Sequence, residues 1–166
     1  MRRVLYTPAV AEPDDLRTLL VDREVRDLTA RYCDAVARCD GDLFASLWAT
    51  DADWVVGSGS PTSGRARIAR VFLKLREGFL LCTQELLSGR VVPDPDGRSA
   101  RARWQIREHQ WKADAPPSCV IGIYTDRLVV EQGAWCFAER RFDIVYRGPV
   151  DLSAPPVPLP ADLPAL

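Results

Sequence analysis

From Val21 onward the apolar residues Val21, Val25, Leu28, Tyr32, Ala35, Val36 and Cys39 recur every three or four positions, with Asp22, Arg23, Arg26 and Asp27 on the other side. That period is the stripe of an amphipathic helix. Glu12-Pro13-Asp14-Asp15 ahead of it offers a proline and acidic residues suited to a first turn, so the spacing predicts a long helix reaching about Arg38. Cys39-Asp40-Gly41-Asp42 interrupts the pattern. Leu43, Phe44, Leu47 and Trp48 then mark a short second helix, and Asp53-Trp54-Val55-Val56 a short strand. Beyond the loop Gly57-Ser58-Gly59-Ser60-Pro61, Ser63 is placed to cap a third helix whose stripe is Ile68, Val71, Phe72 and Leu75, ending near Gly78.

After Phe79 the period falls to two. Strands are expected over 79–92, then, past the turn Pro93-Asp94-Pro95-Asp96-Gly97, over 98–112 with Ala100, Ala102, Trp104 and Ile106 on the inner side. Asp114 to Pro117 reads as the next turn, followed by strands 119–130 and 134–146 joined through Glu131-Gln132-Gly133. Beyond Gly148 the prolines at 149, 155, 156, 158, 160 and 164 oppose regular structure. The chain divides into an N-terminal arm, 1–11, one domain, 12–148, and a Pro-rich tail, 149–166. Three helices followed by antiparallel strands make an α+β fold, with the helices packed on one face of a curved, mainly antiparallel sheet. Such a cone has an open end, a natural apolar pocket for a small molecule.

Composition narrows the function. The chain has 166 residues, 47% of them apolar, enough for one sizeable core. Its 22 Lys and Arg against 23 Asp and Glu leave a net charge of −1, far from the basic footprint of a nucleic-acid binder. Apolar runs such as Phe79 to Cys82 are too short for a membrane-spanning helix. Met1-Arg2-Arg3 is followed by Thr7, Pro8, Glu12 and Pro13 before any apolar targeting segment can form, so a cytoplasmic protein is expected. The cysteines at 33, 39, 82, 119 and 136 include no CxxC pair, and His109 is the only histidine. Together with the lack of GxSxG, HExxH or a Gly-rich phosphate loop, this points away from zinc, from two-histidine mechanisms and from most motif-bearing enzyme classes.

Alternation along 98–112 extends the inner row to Glu108, toward the pocket mouth, a setting in which a carboxyl suits general acid or base work. His109 points the other way. Gly122, Tyr124 and Asp126 share a strand face, which sets a phenol and a carboxylate about 7 Å apart; facing inward, Tyr124 could bind a ligand oxygen and Asp126 accept a proton. Tyr32, on the buried stripe of the long helix, needs a hydrogen-bond partner inside or faces the ligand. Trp54 and Trp104 offer apolar walls with one N–H each. Glu139, Arg140 and Arg141 read as cross-strand ion pairs on a solvated face. The outward row Arg101, Arg103, Gln105, Arg107, His109 and Trp111 is rich in types that favour interfaces, and a homodimer through the sheet is expected.

Arg31-Tyr32, Asp40-Gly41-Asp42 with Leu47-Trp48, Asp51-Ala52-Asp53-Trp54, Gly64 leading into Ile68, Gly122 through Asp126, and Gly133-Ala134-Trp135 through Arg140-Arg141 occur in that order. Over roughly residues 16 to 150 this series resembles the SnoaL-like branch of the NTF2-like superfamily, with its scytalone dehydratase, ketosteroid isomerase and polyketide cyclase type domains. The resemblance implies a lyase or isomerase without metal or organic cofactor that dehydrates, isomerises or cyclises an apolar oxygenated substrate, up to polycyclic in size. It also implies where acid and base groups belong, and there this chain departs. Ala37 stands where dehydratase members carry an Asp, with Asp34 nearby instead, and Gln84 is the best match for their strand histidine. Gln84 can orient a ligand carbonyl but cannot titrate. Two alternatives therefore stay open: a non-catalytic ligand-binding or accessory protein of the same fold, and the small subunit of a ring-hydroxylating dioxygenase.

Overall fold

The computed structural model describes residues 13–151 and residue 162. The expected arm and most of the tail lie outside the described residues. Helix α1 (Pro13–Arg38) buries Val21, Val25, Leu28, Tyr32, Ala35 and Val36. Cys39 leaves that stripe. It takes φ 53° and ends the helix in the left-handed conformation, exposed, while the Asp40 N–H reaches back to the Ala35 carbonyl at 2.9 Å. Asp40 then caps α2 (Gly41–Ser46) by accepting from the Leu43 N–H at 2.9 Å.

Three local expectations are corrected, each by pairing that the local pattern does not contain. Trp48 begins strand β1 (Trp48–Val56) rather than ending the second helix, because the Phe137 N–H donates to the Leu47 carbonyl at 2.9 Å and draws this segment into the sheet. Ser63 does not cap a helix. It lies in β2 (Thr62–Ser63) and donates to Asp53 Oδ1 at 2.6 Å; Gly64, at φ 87°, precedes α3 (Arg65–Arg76) with no side-chain cap. Pro116 and Pro117 open a strand instead of closing a turn, next to an irregularity in the ladder between Gln110 and Lys112 where prolines are tolerated.

The remaining strands are β3 (Phe79–Pro93), β4 (Ser99–Lys112), β5 (Ala115–Glu131) and β6 (Ala134–Pro149). Gln132 and Gly133, both at positive φ (52° and 84°), form the two-residue turn between the last two, which matches the twist of the paired strands. The sheet order is β2-β1-β6-β5-β4-β3, antiparallel throughout except where β1 runs parallel to β6. The protein is thus α+β, a curved, unclosed six-stranded sheet with N-terminal helices on its concave side.

Its core holds Leu28, Leu47, Ile68, Phe72, Trp104, Val120 and Phe137. Aromatic side chains dominate the centre, where Phe44 stacks on Phe72 and Tyr32 meets Phe44, Trp48, Tyr124 and Phe137. Among the described residues no helix is long and apolar enough to cross a membrane.

Candidate active site

A cavity of about 240 Å³ opens from the concave face between α1, α3 and the sheet. Strand alternation on β4 aims Glu108, Gln110 and Lys112 along one side of it, and antiparallel register sets Gln84 of β3 directly opposite Glu108. Tyr32, Gln84, Glu108 and Tyr124 form the polar floor, Trp54, Phe72 and Phe142 the walls. Leu75 and Val56, 54% and 38% exposed, stand at the mouth.

The floor is one hydrogen-bonded chain. Gln84 Nε2 donates to Glu108 Oε2 at 2.6 Å and to the Tyr124 hydroxyl at 2.9 Å, and Gln110 Nε2 donates to Glu108 Oε1. Glu108 is only 8% exposed, and both its oxygens accept, as suits a carboxylate. Tyr124 in turn hydrogen-bonds Tyr32. Burial pushes both phenols above their ordinary value of 10.0, against a partial opposing pull from Arg140, so at neutral pH they are protonated donors. Burial likewise raises the Cys82 thiol to about 12, with help from Glu108, and the Cys33 thiol to about 11, which leaves neither a nucleophile.

Five of the residues singled out from sequence, Tyr32, Trp54, Gln84, Glu108 and Tyr124, therefore line one cavity. Two do not. Asp126, expected to accept a proton, faces inward but is occupied: Arg140 Nε and Nη2 hold its two oxygens at 2.8 and 2.7 Å. Trp104, expected to bind ligand, is buried beside that pair and donates Nε1–H to Asp126 Oδ2 at 2.9 Å. A carboxylate this deep needs a charged partner, and the β5–β6 register brings Arg140 opposite it. His109 lies on the convex face, with Nδ1 3.3 Å from Glu85 Oε1, and Asp34 pairs with Arg38 on the exposed side of α1.

Arg140 overturns the reading of residues 139–141 as a solvated row. Its side chain is fully buried, and its guanidinium carbon lies 4.3, 4.1 and 3.9 Å from the ring centres of Tyr32, Tyr124 and Phe137. Burial disfavours its charge, yet the Asp126 carboxylate more than offsets this and holds the guanidinium above the ordinary arginine range. The signal was in the alternation: Ala138, Arg140 and Phe142 share a face, and the tight turn at 132–133 folds Asp126 back to within a residue of Arg140. Gln110, Arg76, Lys112 and Arg147 also line the cavity and were not singled out. Among the described residues no three His, Cys, Asp or Glu side chains are grouped to hold a metal ion.

Comparison with known proteins places this geometry in context. The sequence profile of the SnoaL-like domain matches residues 17–141. No curated protein sequence matches the chain significantly. Among solved structures, a protein from Novosphingobium aromaticivorans provisionally named scytalone dehydratase superposes with a TM-score of 0.74 at 16% identity, covering 84% of this chain and 94% of that one. The hexachlorocyclohexane dehydrochlorinase LinA-type3 from Novosphingobium barchaimii gives 0.73 at 17% identity, covering 87% and 99%. A second Novosphingobium aromaticivorans protein, provisionally named an aromatic ring hydroxylase, gives 0.71 at 20% identity over 77% and 91%. Identities this low establish a shared fold.

Proposed function

The chain belongs to the SnoaL-like domain family, and on that premise we propose that it is a cytoplasmic lyase or isomerase of an apolar oxygenated small molecule, using Glu108 as its base. The observation that carries this is a carboxylate 8% exposed on the floor of an apolar cavity, with both oxygens oriented by amide donors and a phenol held by the same Gln84 nitrogen. For a substrate with a proton on the carbon next to a carbonyl, Glu108 takes that proton as the C–H bond breaks. The electron pair moves toward the carbonyl oxygen, which Tyr124 or Tyr32 stabilises by donating its O–H. Collapse of the enolate then expels hydroxide from the next carbon, which takes the proton from Glu108 and leaves as water, returns that proton at another carbon, or attacks a second carbonyl whose oxygen takes it. Dehydration, double-bond isomerisation and cyclisation are three exits from one intermediate, and base and proton donor both come from the chain.

Names among the structural neighbours, a dehydratase and a dehydrochlorinase, are consistent with proton abstraction followed by elimination. A second reading, a binding or accessory protein, is favoured by Gln84, which occupies the position facing Glu108 with a side chain that cannot titrate. Hydrogen–deuterium exchange separates the two. In D2O, wild-type protein with a panel of enolisable aryl ketones and β-hydroxy ketones is expected to exchange the proton beside the carbonyl, followed by NMR. Glu108→Gln should lower that rate by about 10²-fold or more. Ketones that bind without any exchange would establish the accessory reading.

A further inference from the structure

We propose that the molecule taken by this cavity carries a carboxylate, held at the mouth by Lys112, Arg147 and Arg76 while an apolar ring system reaches down to Glu108. The inference rests on the reading of the cavity as a substrate site and goes further by naming the substrate's charge. The lining holds three cations and one carboxylate. That one carboxylate, held on the floor by Gln84 and Gln110, offsets at most one of the three, so the lining keeps a net positive charge. Among the described residues no carboxylate lies within 4.0 Å of Arg76, Lys112 or Arg147.

What holds two of these cations in place is a ring. The Arg76 guanidinium carbon sits 4.4 Å and Lys112 Nζ 4.5 Å from the centre of Phe79, contacts that position charge without cancelling it. Arg76 spends Nη2 on the Val36 carbonyl at 3.3 Å, while its buried Nε has no acceptor. A low-dielectric cavity rimmed by uncompensated positive charge focuses an attractive potential for an anion. The same rim carries exposed Leu75 and Val56, so it fits a molecule apolar along most of its length and charged at one end.

Two features select a carboxylate over a phosphate. The mouth is built on the last turn of α3, whose carbonyl-bearing end disfavours a dianion, and no glycine-rich loop or helix N-terminus contributes to the lining. Volume limits the rest. At about 240 Å³ the cavity is smaller than the ~300–1,000 Å³ of drug-sized sites, which suits a one- or two-ring skeleton.

The probes are 2-naphthoate, its neutral counterpart 2-acetonaphthone and 2-naphthyl phosphate, titrated against the full chain by tryptophan fluorescence. At low ionic strength 2-naphthoate is expected to bind about tenfold more tightly than the ketone, the gain of two partly exposed ion pairs, with the preference shrinking as salt rises. In the double variant Lys112→Gln/Arg147→Gln, at two exposed positions whose folding is checked by circular dichroism, the preference should shrink to what Arg76 alone supplies while the ketone's Kd changes little. Equal affinity for ketone and naphthoate, tighter binding of the phosphate, an unaltered preference in the double variant, or no binding of any probe would each overturn the proposal. A ketone that binds and exchanges its protons with no preference for naphthoate overturns this inference and leaves the proposed reaction standing. A clear preference for naphthoate with no exchange of any ketone does the reverse.

Discussion

Arg140 and Asp126 are both fully buried, so neither charge can turn to water if the other is lost. Arg140→Met is expected to lower the unfolding free energy by about 3–5 kcal/mol in urea titration, because it strands a carboxylate that only the Trp104 N–H then contacts. The double variant Arg140→Met/Asp126→Leu should recover a large part of that loss, and a double variant no more stable than the single one would mean that packing against the three rings, not charge, is what Arg140 supplies. Gln84 acts differently. It bridges Glu108 and Tyr124 through one nitrogen, so Gln84→Leu removes the orientation of both while leaving Glu108 its bond from Gln110. Proton exchange is expected to fall by about tenfold, less than for Glu108→Gln, since a positioning group is lost and not the proton acceptor. An unchanged rate would show that Gln110 alone suffices to orient the carboxylate.

Between elements, Glu131 at the end of β5 ties three of them together, accepting from the Thr50 N–H at 3.0 Å, the Thr50 hydroxyl at 2.7 Å and Arg65 Nη2 at 2.7 Å. The bonds from Thr50, then the charge of Arg65, hold its carboxyl below the ordinary glutamate value of 4.5. A carboxyl with a lowered folded pKa stabilises above its unfolded pKa and loses that contribution as pH falls through the folded one. Melting temperature should therefore drop as pH falls below about 4.5, and Glu131→Gln should flatten part of that slope; a slope identical to wild type would exclude the tie. At Gly122 of β5 the neighbouring strand leaves no room for a side chain: a Cβ there would lie 2.2 Å from Phe142 Cε2 and 2.6 Å from the Asp143 carbonyl oxygen. Gly122→Ala is expected to cost about 1–3 kcal/mol in urea titration and to press Phe142 toward the cavity. These long-range relations are also where local reading stopped. The stripe of α1, the inner row Ala100 to Glu108 and the row Gly122, Tyr124 and Asp126 were legible because each repeats within its own element, and with them came Tyr32, Glu108 and Tyr124. The helix-like pattern at Leu47-Trp48 was not, because it is decided by β6 far along the chain; the strand at Pro116-Pro117 and the burial of Arg140 depend on the adjacent strands β4 and β5, whose irregular register the period alone does not fix.

At the scale of the molecule, the convex face carries the row Arg101, Arg103, Gln105, Arg107, His109 and Trp111, partly tied down by Asp94 and Glu85. Two copies are expected to pair through it. Light scattering at micromolar concentration should give about twice the 18.5 kDa chain mass, and Trp111→Ala with Arg107→Ala should return it to the single mass; a single mass in the wild type would exclude the pairing. The order of strands has a further consequence, in the time in which the chain is made. Among the described residues β6 is the last strand in sequence, yet it sits between β1 and β5 and brings Arg140 to Asp126. Until the ribosome has released residues 134–149, β1 has no long neighbour, β5 presents a bare edge and Asp126 lies without its counter-charge. The nascent chain must hold three helices and a hairpin array in suspension, exposed to chaperones and to wrong pairings, and then complete its sheet at one late insertion. A ribosome stalled before residue 134 should display a protease-sensitive chain, and the released chain should be resistant.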